Sequence, residues 1–140
     1  MPTSAELTEK VLAVAHLIRR ISMKSLAPLG LTPAQSRTLR LVAGAGRPVR
    51  MGEIAARMGI VPRSATSLVA ALEESELVER AIDPDNRRAI LVRLTDRGRE
   101  VFHEISAARV AAGDELFGTL TETEREQLAT LLSRVRVGGG

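Results

Sequence analysis

The stretch from Pro62 to Glu74 constrains the fold more than any other. Ala65, Leu68, Val69 and Leu72 recur at i, i+3, i+4 and i+7, the spacing of one apolar stripe on an α-helix. Pro62 suits the first helical position, where a missing N–H costs nothing. At about 100° per residue, Arg63, Ser67, Ala70 and Glu74 fall on the opposite side, with Thr66 on its flank. An ordinary solvated helix face would tolerate the same residues, so this helix alone says little about function.

Its neighbours say more. Gly52 to Val61 reads as a short helix that stops at a glycine, Gly59, with Ile54, Ala55 and Met58 on its apolar face. Two short helices joined by a tight glycine turn form a helix-turn-helix pattern. Beyond it, Leu77–Arg80 and Ala89–Leu94 read as paired strands. In the second, Ile90, Val92 and Leu94 alternate with Leu91 and Arg93. Asp83-Pro84-Asp85-Asn86 between them is a turn signal, and Arg87 and Arg88 stand just past it. An arginine pair is common on any surface. At the end of a hairpin that follows a helix-turn-helix it suits phosphate binding or a narrow minor groove. The outer face of the second helix, with one cation, two hydroxyls and a small residue, is slim enough to lie against base edges.

Gly59 to Val69, Leu72-Glu73, Leu77-Val78-Glu79-Arg80, Asp83-Pro84, Arg87-Arg88 and Leu94-Thr95-Asp96-Arg97-Gly98 together resemble the core of MarR-type winged-helix transcriptional regulators. The resemblance runs over nearly the whole chain, and the wing followed by Leu-Thr-x-x-Gly is its most specific part. It implies a mainly α fold with a small β-wing (α+β). A winged helix-turn-helix at 32–95 would lie between dimerisation helices at 4–30 and 96–137, in a single domain over 1–140. It further implies a homodimer on a pseudo-palindromic double-stranded DNA operator, usually as a repressor. In many members a small lipophilic or phenolic ligand relieves binding. Carried onto this chain, the DNA-facing residues are Pro62, Arg63, Ser64, Thr66 and Ser67 on the recognition helix and Arg87 and Arg88 on the wing. Arg50 stands where relatives often place a capping Thr, and is expected to meet a phosphate at the helix start. No ligand-binding residue can be named, beyond an expectation of mostly aliphatic walls.

The chain departs from that pattern at three places. Val61 fills a slot where Ser or Thr would cap the recognition helix. Glu76 stands where a glycine usually ends it, which makes a left-handed stop costlier. Asn86 replaces an Asp before the wing arginines, which puts a wing-bracing ion pair in doubt.

The flanks read as helices. Ser4 to about Leu26 carries a broad apolar side (Leu7, Val11, Val14, Ile18, Ile21), more than one small partner would cover, and Pro28 and Gly30 end it. Met1 to Thr3 is expected to fray. Thr32-Pro33-Ala34-Gln35 is a capping-box start for a helix to about Ala43, followed by a loop at 44–48 and a short strand at Val49-Arg50-Met51. Thr95 caps a long helix from Asp96 to about Phe117, and Thr121-Glu122-Thr123-Glu124 opens the last one. Val137 to Gly140 reads as a disordered tail.

Composition narrows the function. No stretch of about 18 apolar residues occurs, and the amino terminus is acidic rather than signal-like, so a cytoplasmic protein with no membrane partner is expected. The absence of cysteine excludes disulfides, thiolate metal sites and the thiol-oxidation switch of some relatives. His16 and His103 are too far apart to suggest zinc, and no metal or cofactor is expected. With Phe102 and Phe117 the sole aromatic residues, stacking on single strands or RNA is disfavoured. No phosphate loop, metal-ligand cluster or nucleophile elbow appears, so catalysis is not expected. Glu73-Glu74 and Asp83-Asp85 read as solvated helix and turn residues. The net charge is only +3, and from Arg50 to Arg99 nine Arg face eight Asp or Glu, so the placement of charge must carry any nucleic-acid argument. The competing reading is a winged-helix module that binds only protein, or coats DNA without sequence preference.

Overall fold

The computed structural model describes residues 1–135. The expected tail at Val137–Gly140 and the end of the 96–137 segment lie outside them. In chain order the elements are α1 (Ser4–Leu26), a 3-10 turn (Ala27–Leu29), α2 (Pro33–Ala45), β1 (Val49–Arg50), α3 (Met51–Met58), α4 (Pro62–Glu74), β2 (Val78–Asp83), β3 (Asn86–Leu94), α5 (Asp96–Phe117) and α6 (Glu122–Arg134). The fold is mainly helical with one small antiparallel sheet, ordered β1-β3-β2.

Most helices begin as local chemistry dictates. Thr3, Thr32 and Thr121 each accept from the N3 amide while Glu6, Gln35 and Glu124 reach back to the cap amide. Thr3 therefore does not fray; it holds the first turn of α1. α2 runs two residues past the expected Ala43, because its left-handed stop is Gly46 (φ 64°) and not Gly44. Met51, expected to close the short strand, instead opens α3.

The core sits inside the reader. Leu39 of α2, Ile54 of α3, Val69 and Leu72 of α4, and Val49, Val78 and Val92 of the sheet are all fully buried. Ala65 joins them, whereas Leu68, on the same expected stripe, is half-buried. The flanking helices contribute Leu26 from α1 and Val101 and Ile105 from α5. No residue of α6 is buried. On α1, Leu7, Val11, Leu12, Val14, Leu17 and Ile18 are all at least 40% exposed, an apolar face left uncovered by the described residues.

One joint ties the recognition segment to the flank. α4 ends in a Schellman motif: the Leu77 amide donates to the Leu72 carbonyl (2.9 Å) and the Glu76 amide to the Glu73 carbonyl (2.9 Å). This requires a left-handed residue, and Glu76 supplies it at φ 61°, the one non-glycine with positive φ among the described residues. Thr95 at the start of α5 then grips the same corner. Its amide donates to the Leu77 carbonyl (3.1 Å) and its hydroxyl to the Glu76 carbonyl (2.6 Å), while Thr95 Oγ1 accepts from the Gly98 amide (2.9 Å). Gly98 is buried against the Leu77 carbonyl, where an added Cβ would overlap the oxygen. The Leu-Thr-x-x-Gly pattern is thus a cap, a clamp and a clearance in one.

Two substitutions test this joint by urea unfolding. Gly98→Ala should cost about 3 kcal/mol, since a methyl cannot fit without parting α5 from the strand. Glu76→Gly should stabilise by about 0.5–1 kcal/mol, the left-handed penalty relieved less the backbone entropy added; a loss of stability would contradict the strain assigned to Glu76.

Candidate nucleic-acid interface

α3 and α4 differ from every other α-helix described: neither has a side-chain cap. The other four each start at a Thr that accepts from a first-turn amide. Val61 cannot accept a hydrogen bond through its side chain, and Pro62 has no N–H. The Ser64 and Ala65 amides turn back to the Val61 carbonyl (3.0 and 3.2 Å), which leaves the Arg63 amide as the open donor of the first turn, at the positive end of the helix dipole. Pro62, Arg63, Ser64, Thr66 and Ser67 are all exposed there. Thr66 Oγ1 donates to the Pro62 carbonyl (3.0 Å) and Ser67 Oγ to the Arg63 carbonyl (3.1 Å), which aligns both hydroxyls along the helix and leaves lone pairs outward.

The wing is longer than its sequence signal. β2 continues to Asp83 and β3 begins at Asn86, so Arg87 and Arg88 belong to the strand end and not to the loop. Ile82 pairs with Ile90 and the next pair is Asp83 with Asn86. Arg87, Arg88 and Ala89 therefore bow out of the ladder. Both arginines are exposed.

The wing is braced after all, but by a different acid. Asp83 is buried at 5% exposure and bonds on two sides. Its Oδ1 accepts from the Asp85 amide (2.9 Å), closing the turn, and its Oδ2 accepts from Arg50 Nε (3.1 Å) and Nη2 (2.9 Å). Arg50 thereby fixes the wing to the start of α3, with about half of its side chain still exposed. Asn86 Oδ1 turns back to the Arg88 amide (3.1 Å). The Asp85 amide and then Arg50 hold the Asp83 carboxyl below its ordinary range, against the opposing pull of burial. At the far end of α4, Glu73 takes Arg80 Nε and Nη2 (3.1 and 2.9 Å), which lowers its carboxyl likewise. Neither Glu73 nor Asp83 is the free solvated acid expected.

These pairings sort the arginines. Of the nine between positions 50 and 99, Arg50, Arg57, Arg80, Arg93, Arg97 and Arg99 each face an Asp or Glu of this chain. Arg63, Arg87 and Arg88 have no ion-pair partner among the described residues. Between positions 50 and 99 the unneutralised arginine charge thus lies on the start of α4 and on the wing. No cluster of acids and histidines that could hold a metal occurs among the described residues, and no described helix is long and apolar enough to cross a membrane.

Comparison with known proteins agrees with this geometry. Residues 29–89 match the model described as MarR family. HTH-type transcriptional repressor MdtR of Bacillus subtilis is 33% identical over 88% of this chain and 79% of its own. The chain belongs to the MarR family of transcriptional regulators. It is not an enzyme. Among solved MarR-like structures, YusO of Bacillus subtilis superposes with a TM-score of 0.77 at 30% identity, covering 93% of this chain and 92% of that one. CouR of Rhodococcus jostii RHA1, solved bound to p-coumaroyl-CoA, gives 0.76 at 28% identity, covering 96% and 97%.

The brace generates a pH prediction. A carboxyl whose folded pKa lies below its unfolded value stabilises the fold above the unfolded value, and that contribution disappears as pH falls through the folded one. Acidification below about pH 4 should therefore narrow the stability difference between the wild-type protein and Asp83→Asn, as read by thermal melts across pH. A difference independent of pH would mean that the carboxylate charge does not hold the wing.

Proposed function

We propose that this MarR-family chain is a cytoplasmic homodimeric repressor that binds a pseudo-palindromic operator and is released by a small lipophilic effector. The observation that carries the reading is that Arg63, Arg87 and Arg88, exposed on α4 and the wing, have no ion-pair partner among the described residues. Arg63 stands at the uncapped start of α4, where its own open amide and the helix dipole add to its pull on a phosphate or base edge. Thr66 and Ser67 offer acceptors along the same groove-facing side. Arg87, supported by Arg88, reaches the backbone or minor groove from the wing. Arg50 acts from the helix start, through the wing it holds and through its exposed edge. In this division 32–95 reads DNA, while 4–30 and 96–137 join the two copies.

The dimer rests on the bare apolar faces. Leu7, Val11, Leu12 and Leu17 of α1, with Leu131 and Leu132 of α6, expose more surface than a monomer keeps in water. Pairing them sets two α4 helices in successive major grooves, about 10 base pairs apart. The repressor sense is supported by MdtR, and an effector by CouR and by a cavity of ≈ 440 Å³ between α1, α2 and α5. Its lining mixes aliphatic residues such as Ile18, Leu26 and Ile105 and the aromatic Phe117 with serines and arginines.

Selection of bound sites from a random DNA pool tests the reading directly. The protein should enrich an inverted repeat and sediment as a dimer. On the selected site Arg63→Ala should cost about 1–3 kcal/mol, concentrated at one base pair per half-site. Arg87→Ala should weaken all sequences alike and lower the salt slope by about 1 for each phosphate the arginine neutralises. Enrichment of nothing, with full binding retained by Arg87→Ala, would leave a protein-binding or DNA-coating module instead.

A further inference from the structure

A second set of unpaired arginines lies away from α4 and the wing. Arg19 of α1, Arg37 and Arg40 of α2, and Arg109 of α5 all line the ≈ 440 Å³ cavity. No Asp or Glu lines it among the described residues. None of the four has an ion-pair or side-chain hydrogen-bond partner among the described residues. Most of the exposed arginines from 47 to 99 found a carboxylate; these four, drawn from three helices, did not. The rest of the lining is chiefly apolar, with Ile105 and Leu116 among its walls.

From this arrangement we infer that the effector is an amphiphile with an apolar tail and a phosphate-bearing head of more than one negative charge. The inference deepens the effector reading above and rests on it. A neutral phenol would fill the apolar part and leave four arginines of the lining without an acidic partner. A carboxylate would oppose one of them. A phosphate ester or pyrophosphate supplies enough charge and oxygen atoms for several planar, two-pronged arginine contacts. The tail occupies the space between Ile105 and Leu116, and the head sits at the arginine rim.

The position also supplies a route to DNA. Arg37 and Arg40 project from α2, whose Leu39 and Val42 join Val69 and Leu72 of α4 in the core. α2 contacts both α4 and α5. A head group that draws Arg37 and Arg40 toward Arg109 pulls α2 against α5, and α4 is packed against the same α2.

The test compares probes that share an eight-carbon tail. Octyl phosphate, octanoyl-coenzyme A, octanoate and octanol are titrated into the full-length protein by calorimetry, with coenzyme A as a head without a tail. The same series is then added to the complex with the selected operator. Octyl phosphate or octanoyl-coenzyme A should bind at least about tenfold more tightly than octanoate or octanol, and should release the operator. Arg37→Gln with Arg109→Gln should erase that advantage while leaving octanol binding within about twofold. Tighter binding of octanoyl-coenzyme A identifies a thioester of a nucleotide carrier, and tighter binding of octyl phosphate a simple phosphate ester. If octanol or octanoate binds and releases DNA as well as octyl phosphate, the charged-head inference fails and the lipophilic-effector reading stands. Coenzyme A binding as tightly as its octanoyl ester overturns the tail. If no probe binds, both readings fall.

Discussion

The Leu77 carbonyl is the point on which the architecture turns. It accepts from the Thr95 amide and presses on the bare α-carbon of Gly98, while the preceding carbonyl of Glu76 takes the Thr95 hydroxyl. Four pieces of chain meet there: the end of α4, the start of β2, the end of β3 and the first turn of α5. A backbone hydrogen bond and a steric stop are stiffer than a contact between flexible side chains. The long α5 helix is therefore a lever fixed to the end of the recognition helix, and a rotation of one must carry the other or break the corner. The strained Glu76 belongs to this picture, since only a left-handed residue lets the chain leave α4 and meet Thr95 so closely.

Charge in this protein works by cancellation. A span from Arg50 to Arg99 with a balance of only +1 has a weak overall field. Each exposed Arg–carboxylate pair is worth only about 0–1 kcal/mol. Their larger effect is to subtract: once Glu53, Glu73, Glu79, Asp83, Asp96 and Glu100 have taken their cations, the arginines left over between positions 50 and 99 are those at the start of α4 and on the wing. The uncapped helix starts act in the same direction. A Ser or Thr at position 61 would add a side-chain acceptor that Val61 lacks, so a small local loss of helix stability accompanies the free Arg63 amide on the exposed face.

The parts that sequence made legible are those governed by short-range rules. The start and end of α4 and α5 follow from Pro62, Thr95 and the apolar period, and the Glu76 stop follows from the spacing of the missing glycine. Two kinds of feature escaped. Bounds set by competition between nearby signals shifted, as where Gly46 rather than Gly44 stops α2, or where Met51 joins a helix rather than a strand. Pairings between distant residues leave no local mark: Arg50 and Asp83 lie 33 apart, and nothing nearby distinguishes Asp83, rather than Asp85 or Asn86, as the group that becomes buried. Asn86 makes no ion pair, as its side chain requires, and register places the brace three residues earlier. The cavity arginines escaped for the same reason, since Arg19, Arg37, Arg40 and Arg109 come from three helices with no shared period.

A ligand can release DNA only if it binds more tightly to the conformation that fits DNA poorly. The geometry offers one element that can hold both options. α2 lines the cavity with Arg37 and Arg40 and feeds the core that seats α4 with Leu39 and Val42, so a shift of α2 is felt on both of its faces. At its other end α4 is anchored through Leu77 to α5, which also lines the cavity with Ile105 and Arg109. The recognition helix is thus held between two elements that share one pocket. In the homodimer proposed above, a change in the angle between α2 and α5 in each protomer would alter the separation of the two α4 helices. That separation is the quantity a duplex with fixed groove spacing tolerates least.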